Sequence, residues 1–314
     1  MSTAGINESG YLDIGGIPQW VQIRGDDVRN PVLFFLHGGP GGSALVLGTA
    51  WRPWENRYTI VHWDQRGSGR TFEKNGATGG QLLTIDRMAA DGLAVVEHLR
   101  GKFPGRPIIL MGHSWGTVLG VTMIRTRPDW FAAYVGVAQV TNTRRNGTVR
   151  FEKLVAKLRA QGLVDETRAL ESIGPPPYGT DGAKWATLQR AADALGADPV
   201  TPKLPRPLPP EIRPTDREII GRGMVFSRQQ VMTNGEFGRL DLAAAGTKFA
   251  VPMFLISGAE DFVTPWELAE EFCRQIEAPH KEFVRIEGEG HFFPFNAPEK
   301  LFAEIEQRVG PRLG

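Results

Sequence analysis

The chain has 314 residues, 41% of them hydrophobic and 23% charged, with a formal net charge of +1. That is enough apolar chain for one large packed core carrying an inserted subdomain, and it argues against a disordered polymer. The near-neutral charge argues against a nucleic-acid or membrane-surface binder, and no apolar run reaches the roughly 20 residues that a membrane span needs. The N-terminal stretch lacks a basic region followed by an apolar one, so a cytoplasmic protein without a signal peptide is expected. The lone Cys273 allows no intrachain disulfide, fits a reducing compartment and, in the helical context WELAEEFCRQIE, reads as a packed core thiol.

Residues 11–25 predict an opening hairpin, YLDI and QWVQIR flanking Gly15-Gly16. PVLFFLH (31–37) and YTIVHW (58–63) predict strands. Residues 84–100 predict a helix with Met88, Leu93, Val96 and Leu99 partly on one face. PIILMG (107–112) predicts a strand, 115–127 a helix that ends before Pro128, and AYVGVA (133–138) another strand. Such alternation predicts an α/β fold, a mostly parallel central sheet with helices on both faces. It stops over 141–246. There TVRFEKLVAKLRAQ carries Phe151, Leu154, Val155 and Leu158 at helical spacing, and the proline-rich stretches 174–179 and 199–214 cannot be helix interior. This span reads as a helical, proline-rich cap inserted into a core of residues 1–140 and 247–314. The alternation resumes with a strand at 251–258, a helix at 265–277, a strand at 281–286 and a closing helix at 298–310.

Gly112-His113-Ser114-Trp115-Gly116 follows the strand PIILM directly and opens a helix. A G-x-S-x-G pattern in that setting predicts a strained strand-to-helix turn, with glycines where side chains would clash and the serine hydroxyl lifted above the sheet. The helix N-terminus favours negative charge developing there. A serine hydroxyl is a weak nucleophile and needs a base. Of the six histidines, His291 in GEGHFF lies just past the last predicted strand, at the same sheet edge as Ser114. His98 sits inside a helix, His280 before a strand, His62 in a strand and His113 within the turn itself, all structural settings. The base needs an acid to fix its tautomer. Asp261, in GAED after the strand VPMFLISG, is favoured for that role, with its neighbour Glu260 as competitor. His-Gly-Gly-Pro-Gly-Gly at 37–42 follows the strand PVLFFL and would expose backbone N–H groups as an oxyanion hole. The donors expected are Gly39 and, after the serine, Trp115. His37 is expected to shape that loop and is a candidate substrate contact. The loop is no phosphate cradle, lacking G-K-[ST] or G-x-G-x-x-G. No H-x-x-x-H or C-x-x-C appears, so neither metal nor cofactor is expected.

HGGPGG (37–42), DQRGSGR (64–70), GHSWGT (112–117), GAED (258–261) and GEGHF (288–292) together resemble the prolyl aminopeptidase (proline iminopeptidase) branch of the α/β-hydrolase superfamily. The resemblance implies the α/β-hydrolase fold and carries that branch's catalytic serine, aspartate and histidine onto Ser114, Asp261 and His291. Its oxyanion donors fall on Gly39 and Trp115. DQRGSGR reads as a structural turn, with Asp64 and Arg66 fixing neighbouring loops. The cap departs from the pattern. Enzymes of this branch hold the substrate's amino group with cap acids, one of them closing a W-x-x-W-E segment. Here that segment is Trp185-Ala-Thr-Leu188-Gln189. A neutral amide cannot pair an ammonium as a carboxylate does, leaving Glu211, Glu218 and Glu236 as the candidate substitutes.

The expectation is therefore a serine hydrolase working through an acyl-enzyme on a carboxylic ester or lactone, a bulky natural-product lactone among the candidates. Trp51, Trp54, Trp185 and Gln189 are candidate pocket residues, each tryptophan being equally at home in a core. The alternatives are a prolyl aminopeptidase acting on short peptides, an acyltransferase using the same triad, and a non-catalytic binding protein. Dehalogenase and epoxide hydrolase chemistry would need an aspartate at position 114.

Overall fold

A computed structural model describes residues 4–77, 83–179, 181–196, 209 and 211–313, and of Val46 the backbone alone. β1 (Ile6–Ile14) and β2 (Ile17–Gly25) form the predicted hairpin, turning at Gly15 and Gly16 with φ of 57° and 81°. Positive φ at both central residues matches the right-handed twist of the flanking strands. β3 (Val32–Leu36), β4 (Thr59–Trp63), β5 (Ile108–His113), β6 (Ala133–Val137), β7 (Met253–Gly258) and β8 (Lys281–Ile286) follow. All eight make one sheet in the order β1-β2-β4-β3-β5-β6-β7-β8. Pairing is antiparallel from β1 to β4 and parallel from β4 to β8, as the alternation of strands and helices predicts.

The helices are α1 (Ala44–Leu47), α2 (Gly69–Asn75), α3 (Ile85–Lys102) and α4 (Trp115–Thr126), then α5 (Thr143–Ala160), α6 (Val164–Ile173), α7 (Gly182–Ala194) and α8 (Asp216–Thr233) between β6 and β7. α9 (Trp266–Gln275), α10 (Phe293–Asn296) and α11 (Pro298–Arg308) complete the chain. Among the described residues no helix is long and apolar enough to cross a membrane.

β3 reads VLFFL because both faces of the sheet are covered. Val32, Phe34 and Leu36 enter one cluster with Trp63, Leu110, Leu119 and Phe272, under α3, α4 and α9. Leu33 and Phe35 enter the opposite cluster with Ile109, Met111, Phe254 and Leu301, under α11. Each such side chain contributes about 1.5–3 kcal/mol by leaving water. Cys273 lies in the first cluster, and burial pushes its thiol up from its ordinary value, as expected of a packed thiol.

The helices between β6 and β7 build a cluster of their own from Leu154, Leu158, Leu170, Tyr178, Leu188 and Ala192, and Phe262 of the loop after β7 joins it. GPPPYG (174–179) leads from α6 towards α7, with Tyr178 buried and its hydroxyl donated to Gly174 O. Most of the second proline-rich stretch, 199–214, lies outside the described residues. α8 packs on α2 and is tied to the core by charge. Arg70 Nη2 lies 2.8 Å from Asp216 Oδ2, and Arg213 bridges Asp216 and Glu73.

Candidate active site

β5 ends at His113 and α4 begins at Trp115, so Ser114 alone makes the turn between them. Its φ of 53° and ψ of −121° form a conformation that L residues rarely adopt, costing about 1–3 kcal/mol. The flanking glycines are there for space. A Cβ on Gly112 would stand 2.6 Å from Gly116 O, and one on Gly116 would stand 2.0 Å from Leu36 O. Thr117 pins the turn: its hydroxyl donates to Ser114 O (2.6 Å) and accepts the N–H of Val140 (3.1 Å). Ser114 stays half-buried while its neighbours are fully enclosed. Trp115 is the first residue of α4, so its N–H has no partner within the helix. Its indole donates to Gln65 Oε1 at 3.1 Å.

Two loops at the same sheet edge meet beside this turn. The loop after β7 carries Asp261 and the loop after β8 carries His291. They are stitched together by Ala259 N–H to Ile286 O (2.9 Å) and Glu260 N–H to Glu289 O (2.8 Å). His291 Nδ1 lies 2.8 Å from Asp261 Oδ2, both side chains being buried. Asp261 Oδ1 accepts the N–H groups of Val263 (2.8 Å) and Thr264 (2.7 Å), and Oδ2 accepts the Thr264 hydroxyl (2.7 Å). Burial works to raise the Asp261 carboxyl, but His291 and the Thr264 hydrogen bonds outweigh it and hold the group below its ordinary value. It is therefore an anion at neutral pH. His291 packs against the elbow through His113: the ring centroids are 4.8 Å apart, and His113 Nε2 donates to His291 O at 2.9 Å. Burial pushes His113 down to about 3, so it does this as a neutral ring. Glu260 points the other way. It is exposed and pairs with Lys157 of α5 at 2.7 Å, which separates it from the histidine.

The glycine loop after β3 runs alongside the serine. A Cβ on Gly38 would stand 3.2 Å from Ser114 Cβ. Gly39 has φ of 133°, a conformation open to glycine. α8 closes on the far side of this loop, for a Cβ on Gly41 would stand 2.6 Å from Gly223 O and 2.8 Å from Met224 Cα. His37, a candidate substrate contact, braces the loop from below. It is buried, its Nε2 accepts Gln65 N–H (3.2 Å) and its Nδ1–H meets Gly38 O (2.9 Å), so both ring nitrogens are spent on scaffold.

The structure does not gather the expected pocket tryptophans. Trp51 and Trp54 are core residues on the face of the sheet under α11. They stack on each other at 5.0 Å, Trp51 stacks on Phe295 at 5.3 Å, and the Trp51 indole donates to Pro294 O. The 3-10 turn that carries them folds back onto β4 and places both rings under the sheet. Trp185 lies edge-on to Tyr178 and donates to Gly179 O, so these contacts stay within α7 and the turn before it. Gln189 donates to Asp193 one turn along the same helix.

Two residues beside the site carried no sequence signal of their own. Thr264 braces both Asp261 and His291, its hydroxyl lying 3.2 Å from His291 Nδ1. Gln65 joins the turn to the glycine loop, donating to His37 O (3.0 Å) while accepting from Trp115. DQRGSGR is the brace around them. Asp64 accepts from Ser43 Oγ (2.5 Å) and Arg70 N–H (2.7 Å), and Arg66 forms a fully buried pair with Asp91 at 2.8 Å. Among the described residues no three His, Cys, Asp or Glu side chains gather as a metal site would.

Comparison with known proteins agrees with this architecture. A protein of Bacillus subtilis (strain 168) named probable aminopeptidase YbaC is 28% identical over 306 residues, covering 95% of this chain and 94% of its own. In fold the chain is similar to a proline iminopeptidase-related protein from Thermus thermophilus, with a TM-score of 0.66, 23% identity and coverage of 98% and 99% of the two chains. It is likewise similar to the proline iminopeptidase of Mycobacterium smegmatis, with a TM-score of 0.68, 18% identity and the same coverage. The model of the alpha/beta hydrolase family matches residues 33–305. The chain belongs to the alpha/beta hydrolase family.

Proposed function

We propose that this hydrolase is a serine esterase or lactone hydrolase, with Ser114 as nucleophile, His291 as base and Asp261 as the acid that orients it. The 2.8 Å contact from Asp261 Oδ2 to His291 Nδ1, beside a serine at positive φ, carries the reading. In this mechanism His291 takes the hydroxyl proton as Ser114 attacks the acyl carbon. The N–H groups of Gly39 and Trp115 hold the oxyanion, and water activated by His291 then releases the acid from the acyl-enzyme. Residues 141–246 act as the cap over a core of 1–140 and 247–314, in a cytoplasmic enzyme that needs no cofactor.

The choice of ester over peptide rests on the cap acids. Gln189 stands where an amine-binding acid is expected. Glu211 pairs with Arg24 and Arg52, and Glu236 accepts the N–H of Ile85 at the start of α3. Glu218 lines a cavity of about 290 Å³ between α2 and α8, with Phe72, Thr215 and Arg222. Glu211 and Glu236 are thus held by protein partners, and Glu218 opens on the α2–α8 cavity, whose lining includes none of Ser114, Asp261 and His291. The second reading, a prolyl aminopeptidase, is favoured by the names of the relatives. Side-by-side turnover of p-nitrophenyl acetate and proline p-nitroanilide separates the two. Ester cleavage well above anilide cleavage is expected, and comparable rates would move the assignment to the peptidase. Ser114→Ala should abolish both; surviving turnover would end the serine mechanism.

A further inference from the structure

Asp261 sits on a loop that the core alone does not hold. Its neighbour Phe262 is buried, and the cluster it belongs to is that of the inserted helices, with Leu154, Leu158 and Leu188. Lys157 Nζ lies 4.9 Å from the centre of its ring, a cation–π contact that also faces the insert. One residue further, the carbonyl of Val263 accepts Asn146 Nδ2 of α5 at 2.7 Å. α5 then continues along the segment that follows. Lys153 pairs with Glu267 at 2.9 Å and Arg145 with Glu271 at 2.7 Å, while Lys157 holds Glu260 on the near side. The turn in which Asp261 Oδ1 accepts from Val263 and Thr264 is thus gripped from outside at residues 260, 262 and 263.

Resting on the triad reading above, we propose that Phe262 and Asn146 are positioning residues for the Asp261–His291 pair, which makes α5 of the insert part of the catalytic support as well as of the cover. The physical reason is lever length. The Asp261 carboxylate is fixed by the N–H groups of Val263 and Thr264, and the insert holds the carbonyl of Val263 and the side chain of Phe262 just before it, so a loosened Phe262 or Val263 displaces the carboxylate that orients His291. A displacement near 1 Å in such a constellation costs about 100-fold in rate. A cover that served substrate binding alone would instead change KM and leave kcat in place.

The experiment uses the full-length chain with p-nitrophenyl acetate and compares wild type, Phe262→Ala, Phe262→Leu, Asn146→Ala and Ser114→Ala. Thermal melting and the downfield proton resonance of His291 Nδ1–H are followed in parallel. Phe262→Ala and Asn146→Ala should lower kcat by about 10- to 100-fold with KM within about twofold, and should shift or broaden the Nδ1–H resonance. Phe262→Leu refills most of the volume and should restore most of kcat. If Phe262→Ala does not fold, Asn146→Ala decides, since it removes one hydrogen bond and no core volume. Folded variants with wild-type kcat and an unmoved resonance, or with only KM changed, would overturn the proposal while an inactive Ser114→Ala left the triad standing. Turnover by Ser114→Ala would instead overturn the triad reading itself.

Discussion

Replacing Asp261 by asparagine is nearly isosteric, and the structure decides which way the new amide must face. Oδ1 accepts two backbone N–H groups, from Val263 at 2.8 Å and Thr264 at 2.7 Å. An amide nitrogen in that position would meet two donors, and each donor left unpaired in the interior costs about 1–3 kcal/mol. The amide oxygen therefore keeps the Oδ1 position, and the NH2 group takes that of Oδ2, 2.8 Å from His291 Nδ1. An NH2 there donates to Nδ1, which drives the ring proton to Nε2. An Nε2 that carries a proton cannot accept one from Ser114. The same change in a well-studied Ser-His-Asp triad lowers turnover about 10⁴-fold, equivalent to about 5.4 kcal/mol of barrier. Asp261→Asn should thus fold, melt within a few degrees of wild type and lose between about 10³- and 10⁴-fold in kcat/KM on p-nitrophenyl acetate. Activity within about tenfold of wild type would refute the assignment of Asp261 as the orienting acid.

Two stability predictions follow from the buried charges. Arg66→Met takes from Asp91 its enclosed partner and leaves it the partly exposed Arg87 at 3.6 Å, and should cost about 3 kcal/mol by urea unfolding. Arg66→Met with Asp91→Leu should recover much of that loss; no recovery would mean that the pair's outer hydrogen bonds to Gln19 and Gly15 matter more than its charge. The second concerns acid. Burial pushes His37 down to about 4 and both His62 and His113 down to about 3, against an ordinary value near 6.5. Between those values the unfolded chain binds protons that the folded one refuses. Their contribution is therefore present above about 6.5 and lost as pH falls, at up to about 1.4 kcal/mol per pH unit for each ring. Asp64 works in the opposite sense: burial raises it to about 6, so its contribution is full below 3.8 and lost as pH rises through about 6. Three imidazoles outweigh one carboxyl, so urea stability should fall from about pH 6.5 towards about pH 4.5, and more steeply in Asp64→Asn. A flat profile would contradict the burial of these rings.

Much of the fold was legible because its strands are short and its signals local. β3, β5 and β7 are mainly apolar runs, VLFFL, IILMGH and MFLISG, and the segments that follow them carry the glycine loop, Ser114 and Asp261. The structure brings Asp261 and His291 together as their positions at strand ends suggested. What local pattern could not give is the direction in which a side chain leaves a loop. Glu260 and Asp261 are adjacent acids, and only the packed turn shows one reaching Lys157 and the other His291. Trp51 and Trp54 suit a pocket or a core equally by residue type, and the 3-10 turn carries them under the sheet. α2 has no local signature, since GRTFEKN has a glycine start and no apolar periodicity; its place is set by Asp64, which accepts the N–H of Arg70. Gln65 acts on His37 and Trp115, and Thr264 on His291 as well as on nearby Asp261; pairings so distant in sequence leave no local pattern.

The insert touches both halves of the proposed machinery, by different helices and different physics. α8 meets the glycine loop backbone to backbone, so close at Gly41 and Gly223 that a side chain on Gly41 would be excluded. Ser227 of the same helix donates to Gly67 O at 2.8 Å, and Asp216 is clamped by Arg70, so α8 is set by polar contacts to the DQRGSGR turn. α5 meets the acid loop through an apolar plug and one side-chain amide. The glycine loop and the Asp261–His291 pair are therefore each braced by the inserted segment. Sequence change in the insert is then constrained at Gly223, Ser227, Asn146 and the pocket for Phe262. It is less constrained at positions such as Trp185 and Gln189, whose contacts stay within α7 and its approach. On the proposed reading, a change at Gln189 would alter what is bound without disturbing Asn146, Phe262, Gly223 or Ser227, because its contact stays within α7.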